Sequence, residues 1–183
     1  MATATHSSTR KSTTGKSAGK SAAKSTAARG QDAITLLKAD HREVEKLFGQ
    51  FEKAKDEDRK QALADKICLE LKVHTQIEEE IFYPAGREYL DDEEMIDEAV
   101  VEHAAAKDLI AEIEGMQPSD DLYDAKVTVL QEQIEHHVEE EEKELFPKLK
   151  KTDMDMKAVG AQLKSRKAEL MAQMDGGQGK AMQ

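Results

Sequence analysis

Two stretches of the chain carry the same arrangement of imidazole and carboxylate. Residues 73–84 read VHTQIEEEIFYP and residues 135–147 read EHHVEEEEKELFP. With the two prolines superimposed, His74 falls on His137, Glu78 on Glu141, Glu79 on Glu142 and Tyr83 on Phe146. On a helix, a His and a Glu four residues apart share one face, one turn from each other. Two further histidines complete the pattern. His41 in DHREVEKLF matches His103 in EHAAAKDLI, and the spacing of 62 or 63 residues relates both His pairs and both glutamates. The site therefore reads as one His followed by His-x-x-x-Glu, written twice.

Taken singly, each residue is an ordinary core histidine or a helix-stabilising pair. Together they are costly. Four imidazoles and two carboxylates buried at one level lose several kcal/mol of solvation unless a charge compensates them, and a metal ion supplies that charge. Six N and O donors without a thiolate do not describe a structural zinc site, which closes at four ligands. They are too rich in nitrogen for calcium or magnesium. Two metals sharing the two glutamates, each with two histidines, satisfy every donor and leave coordination positions open. That suits iron, with manganese and zinc as substitutes. Di-iron proteins of the ferritin type use Glu-x-x-His instead, so the order and interval here disfavour that class.

The elements that must position these residues are legible from apolar spacing. Ile34, Leu37, His41, Val44, Phe48 and Phe51 form one seam at 3–4 residue intervals. Leu63, Ile67, His74, Ile77 and Ile81 form a second, running to Pro84. Ile96, Ala99, His103, Ala106, Ile110 and Ile113 form a third; Leu130, Ile134, His137 and Leu145 form a fourth, ending at Pro147. Asp32 is the expected cap of the first helix, and Ser119 or Asp120 that of the fourth. A weaker fifth pattern holds Met156, Val159, Leu163 and Leu170. The spacing predicts an all-α fold: an antiparallel up-down-up-down four-helix bundle with a fifth C-terminal helix. At 1.5 Å per residue, all four histidines lie roughly 15 Å from one end of it. The expected divisions are a tail over 1–30, the bundle over 31–150, the last helix over 151–175 and a flexible end over 176–183.

Composition narrows the setting. The chain has 183 residues, 36% charged and 4% aromatic, with no Trp, which is helical rather than sheet usage. The net charge of −11 is uneven: residues 1–30 carry six Lys or Arg and no acid, leaving −17 on the rest. The tail, rich in Ser, Thr, Ala and Gly, reads as disordered, and its lysines could touch nucleic acid or an acidic partner weakly. An acidic body would not hold a polyanion itself. No run approaches the roughly 20 apolar residues of a membrane span, and the single Cys68 forms no internal disulfide, so a cytoplasmic location is expected.

The six positions His41, His74, Glu78, His103, His137 and Glu141, with the endings FYP and LFP, resemble the hemerythrin-like, HHE cation-binding domain of bacteria over residues 33–147. The resemblance implies a carboxylate-bridged, oxo- or hydroxo-bridged pair of non-haem irons that meets O2, NO or peroxide. It points to a binding or sensing module for these ligands or for iron itself. The alternative is a di-iron enzyme that disproportionates peroxide or oxidises ferrous iron. Oxygen-carrying members have a second histidine one turn after the third-helix His, and here that position is Lys107. The departure argues against oxygen transport, and the Lys107 ammonium is expected to turn to water. His136 lies about 100° off the seam and is expected at the surface; Tyr83 reads as a packing residue at the bundle end.

Overall fold

Asp32 opens the first helix as expected, its carboxylate accepting from Thr35 N at 2.9 Å. The computed structural model describes residues 31–91 and 93–178, so the tail assigned to 1–30 and the last five residues lie outside the described residues. Helix α1 spans Ala33–Phe51. Asp56 caps α2, Glu57–Ile77, through Arg59 N at 3.0 Å. The chain then widens into a π-turn at Glu78–Phe82 and returns to α geometry in α3, Tyr83–Arg87. After α4, Glu94–Glu114, the same sequence of elements recurs: α5, Tyr123–Glu140; a π-turn, Glu141–Leu145; and α6, Phe146–Leu149. Helix α7 spans Met156–Gln178. It runs through Gly176 and Gly177, past the point where the sequence suggests a flexible end.

The fold class is the one expected, but two local expectations are corrected. Pro84 and Pro147 do not end their helices. Each lies just inside the α segment that follows a π-turn. Tyr83 N bonds to Glu78 O and Phe146 N to Glu141 O, five residues back, so the chain gains a residue where a proline would otherwise break the ladder. Neither Ser119 nor Asp120 caps α5. Asp120 accepts from Gln117 N instead, and the helix begins after Leu122, which turns the chain at φ 71°.

Helices α1, α2, α4 and α5 close a ring in which each packs on two neighbours. The core has two parts. One holds Val44, Phe48, Ile67, Ile110, Tyr123 and Leu130, and the other holds Ile34, Leu37, Phe82, Ile96, Phe146 and Leu163. The histidine layer separates them. Helix α7 lies across α1 and α2. Gly160 makes that crossing possible: a Cβ there would come within 2.6 Å of Gln31 O and 2.7 Å of Ala33 N. Gly160→Ala should therefore cost roughly 1–3 kcal/mol through overpacking, despite alanine's better helix propensity. A denaturation midpoint equal to or above wild type would contradict this crossing.

Candidate metal centre

All six predicted site residues lie in the layer between the two core halves. His41, His74, Glu78, His103, His137 and Glu141 are each no more than 4% exposed. Helix α1 supplies His41, α2 His74, α4 His103 and α5 His137, while each π-turn begins on a glutamate. The imidazoles aim their Nε2 atoms inward in two pairs. His41 Nε2 and His74 Nε2 are 3.1 Å apart, as are His103 Nε2 and His137 Nε2. Glu78 Oε2 is 3.2 Å from His74 Nε2 and 3.5 Å from His103 Nε2, so it reaches both pairs. Glu141 Oε2 mirrors it, 3.3 Å from His41 Nε2 and 3.8 Å from His137 Nε2.

The donor set fits a metal better than it fits itself. Both oxygens of Glu78 and Oε2 of Glu141 are buried without a hydrogen-bond partner. Left so, each such group costs on the order of 1–3 kcal/mol. Burial, followed by the neighbouring Glu141, pushes the Glu78 carboxyl well above its usual range. Burial lowers His74 to about 4 and His103 to about 2, so both imidazoles are neutral near pH 7 and present lone pairs. One group of buried donors, His41, His74, Glu78 and Glu141, could hold a first cation; Glu78, His103 and His137 could hold a second.

A second ring of carboxylates orients the imidazoles. His41 Nδ1 faces Glu142 at 2.9 Å, His103 Nδ1 faces Glu79 at 3.0 Å and His137 Nδ1 faces Glu102 at 2.7 Å. His74 Nδ1 lies 3.7 Å from Asp40, too far for a direct hydrogen bond. Such contacts fix the tautomer that leaves Nε2 free to ligate. The sequence reading missed these four acids although their signal was present. Asp40 and Glu102 immediately precede His41 and His103, and Glu79 and Glu142 immediately follow Glu78 and Glu141.

Two other residues depart from expectation. The Lys107 ammonium is partly exposed, but it does not simply reach water: it donates to both oxygens of Glu79 at 2.6 Å. The lysine thus secures the carboxylate that holds His103. Tyr83 is more than packing. Its hydroxyl donates to Glu141 Oε1 at 3.1 Å and lies 3.3 Å from His103 Nε2. Its counterpart Phe146 stacks on His41, ring centroids 5.9 Å apart and nearly parallel. The two halves of the site are therefore alike in donors and unlike in surroundings. His136, as expected, is mostly exposed. A cavity of about 10 Å³, no larger than one water needs, abuts the four histidines under Val44, Leu71, Ile134 and Val138.

Among known proteins, the family described as Hemerythrin HHE cation binding domain matches residues 32–149. The chain is 29% identical over 114 residues to a DNA nickase from Nostoc sp., covering 61% of this chain and 31% of that protein. It is 27% identical over 114 residues to an uncharacterized hemerythrin-like protein of Schizosaccharomyces pombe, covering 61% of this chain and 56% of that one. The match thus spans well under two thirds of either relative. A solved structure, a hemerythrin HHE cation-binding domain-containing protein from Mycobacterium kansasii, has the same fold. Its TM-score is 0.67 at 23% identity, over 78% of this chain and 89% of that one.

Proposed function

This chain belongs to the hemerythrin HHE cation-binding domain family, and we propose that it holds two non-haem irons and binds or senses O2, NO or peroxide. One metal would lie between His41 and His74 and the other between His103 and His137, with Glu78 and Glu141 shared; manganese or zinc could substitute. The observation that carries the reading is the pair of inward Nε2···Nε2 approaches at 3.1 Å, with Nδ1 of His41, His103 and His137 each facing a carboxylate that favours ligation through Nε2. A bound pair of irons supplies redox chemistry and Lewis acidity toward a small oxidised ligand.

The chain's own residues do the rest. Glu142, Glu79 and Glu102 hold the imidazoles in register. Val44, Leu71, Ile134 and Val138 beside the histidines give the site an apolar flank, which favours a small neutral ligand over a hydrated ion. The Tyr83 hydroxyl holds a proton at Glu141, and burial pushes its own pKa well above 10, so it stays a donor at neutral pH. That proton favours a second reading, a di-iron enzyme that disproportionates peroxide or oxidises ferrous iron.

An anaerobic ferrous titration of the full chain should end at two irons per chain, followed by spectral changes on adding NO or peroxide. Occupancy below one iron in correctly folded protein removes the proposal. Peroxide consumed in large excess over iron selects the enzyme; consumption in proportion to iron selects the sensor. A cytoplasmic setting fits the one cysteine, Cys68, whose thiol burial pushes up to about 12 and keeps unreactive. Among the described residues no helix is long and apolar enough to cross a membrane. We also propose that the tail over 1–30 makes weak electrostatic contact with nucleic acid or an acidic partner. Its six cations predict a salt slope of about −5 on duplex DNA, lost when the tail is removed. Equal retention of full-length and truncated protein on DNA at low salt refutes that contact.

A further inference from the structure

The twofold likeness of the domain breaks on its outer faces. Positions related by the 62- and 63-residue offsets are Leu36 and Glu98, Asp40 and Glu102, Val73 and His136, Ile77 and Glu140, Ile81 and Glu144. On the α1–α2 side this face is apolar and lies under α7, with Leu36, Val73 and Ile77 buried. At these five positions the one acid is Asp40, which Lys167 of α7 neutralises at 2.8 Å, and α7 also pairs Lys167 with Glu70 and Arg166 with Glu80 nearby. On the α4–α5 side every equivalent is an acid or a histidine. Among the described residues, no lysine or arginine pairs with Glu98, Glu102, Glu140 or Glu144.

These side chains surround an opening. A pocket of about 60 Å³ is walled by Glu98, Glu102, Glu140 and Glu144 and floored by His137 and Glu141. Glu141 is 2% exposed, and its Oε2 has no hydrogen-bond partner. At the rim, His136 Nε2 lies 3.4 Å from Glu140 Oε1 and 3.7 Å from Glu102 Oε1. One ligand atom from each of Glu102, His136 and Glu140 falls within 4.8 Å of the other two. The other oxygen of Glu102 contacts His137 Nδ1 at 2.7 Å, so a single carboxylate joins the rim to the buried layer.

We propose that this face is a metal-loading vestibule, in which a divalent first-row cation is captured by Glu102, His136 and Glu140 and passes inward to His137 and Glu141. The inference rests on the buried pair of metal sites proposed above. Two carboxylates and one imidazole suit such a cation with water in its remaining positions. Four carboxylates without a lysine or arginine partner around a narrow opening concentrate cations there and speed their arrival. The opposite face, apolar and covered, offers no such path.

The test uses the metal-free full chain and Co2+ as the probe, with loading followed by its absorption in a stopped-flow instrument. His136→Ala/Glu140→Gln should slow loading about tenfold or more, the scale of an electrostatic steering effect. Glu98→Gln/Glu144→Gln should also slow it and lessen its dependence on salt. After desalting, each variant should retain two cations, like wild type. Before desalting, Mn2+ titrated under electron paramagnetic resonance should show one additional weak site in wild type and none in His136→Ala/Glu140→Gln. Glu57→Gln, an exposed acid at the start of α2, serves as the control and should load at the wild-type rate. If wild type retains two cations and the vestibule variants load within twofold of it, the vestibule is refuted and the buried centre stands. If folded wild type retains none, both fall together.

Discussion

Glu78→Met should abolish occupancy of at least one metal site and, in metal-free protein, raise the melting temperature above that of wild type. Glu78 is fully buried, and neither of its oxygens has a hydrogen-bond partner. In the absence of metal, burial and then the adjacent Glu141 disfavour its charge and raise its pKa well above the ordinary carboxyl value. A methionine fills nearly the same volume and needs no partner. Replacing a buried polar group that has no partner with an apolar one of similar size removes a desolvation penalty of about 1–3 kcal/mol. For a chain of this length each kcal/mol shifts the melting temperature by roughly 2–4 °C. The measurement is a pair of thermal melts after exhaustive chelation, with metal counted by elemental analysis on reloaded samples. A chelated Glu78→Met that melts below wild type would mean that the glutamate serves the core rather than a ligand. The prediction separates the two because a structural residue and a ligand respond oppositely to the same change.

Most of the fold is legible in the sequence because four seams of apolar residues recur at helical spacing, and the histidines lie on them. Ile34, Leu37, Val44 and Phe48 leave α1 one way to face, and His41 follows. The candidate ligand set is legible for a different reason: a repeat at an offset of 62 or 63 residues is hard to produce by core packing alone. What was hidden depends on contacts between helices. The π-turns at Glu78–Phe82 and Glu141–Leu145 leave no periodicity of their own, and proline normally signals a helix end. The role of Tyr83 was hidden because its hydroxyl acts across the bundle, on α4 and the second π-turn, 20 and 58 residues away in sequence. Lys107 stands in sequence where a ligand is missing, and its partner Glu79 lies on another helical segment. The asymmetry between the two outer faces required α7 to be placed, since only its docking explains why Ile77 and Glu140 occupy equivalent positions.

Removing the metal should lower the melting temperature by roughly 10–20 °C at pH 7.5, and by progressively less as the pH falls toward 6. Two sites each held at a hundred times their dissociation constant add about 5 kcal/mol together, which at roughly 2–4 °C per kcal/mol gives that shift. The pH dependence follows from which ligands carry protons. Despite burial, Glu102 and Glu141 raise His137 above its ordinary value, while Glu78 is raised well above its own. Each must release a proton before it can ligate, so acid opposes loading through these two. His74 and His103 are lowered and already neutral, so they release none at neutral pH. The metal-free protein has its own acid limit. Between about 6.5 and about 4, unfolded imidazoles at positions 74 and 103 bind protons that the folded ones refuse. Burial and then Glu141 raise folded Glu78 well above its ordinary value, which opposes this in part. Through these two imidazoles the unfolded chain binds more protons, and the metal-free protein loses stability as the pH falls through that window. Thermal melts of chelated and iron-loaded protein from pH 8 to pH 5 give both curves. A chelation shift that stays constant with pH would mean that Glu78 and His137 give up no proton to the metal, and the assignment of both as ligands would fail.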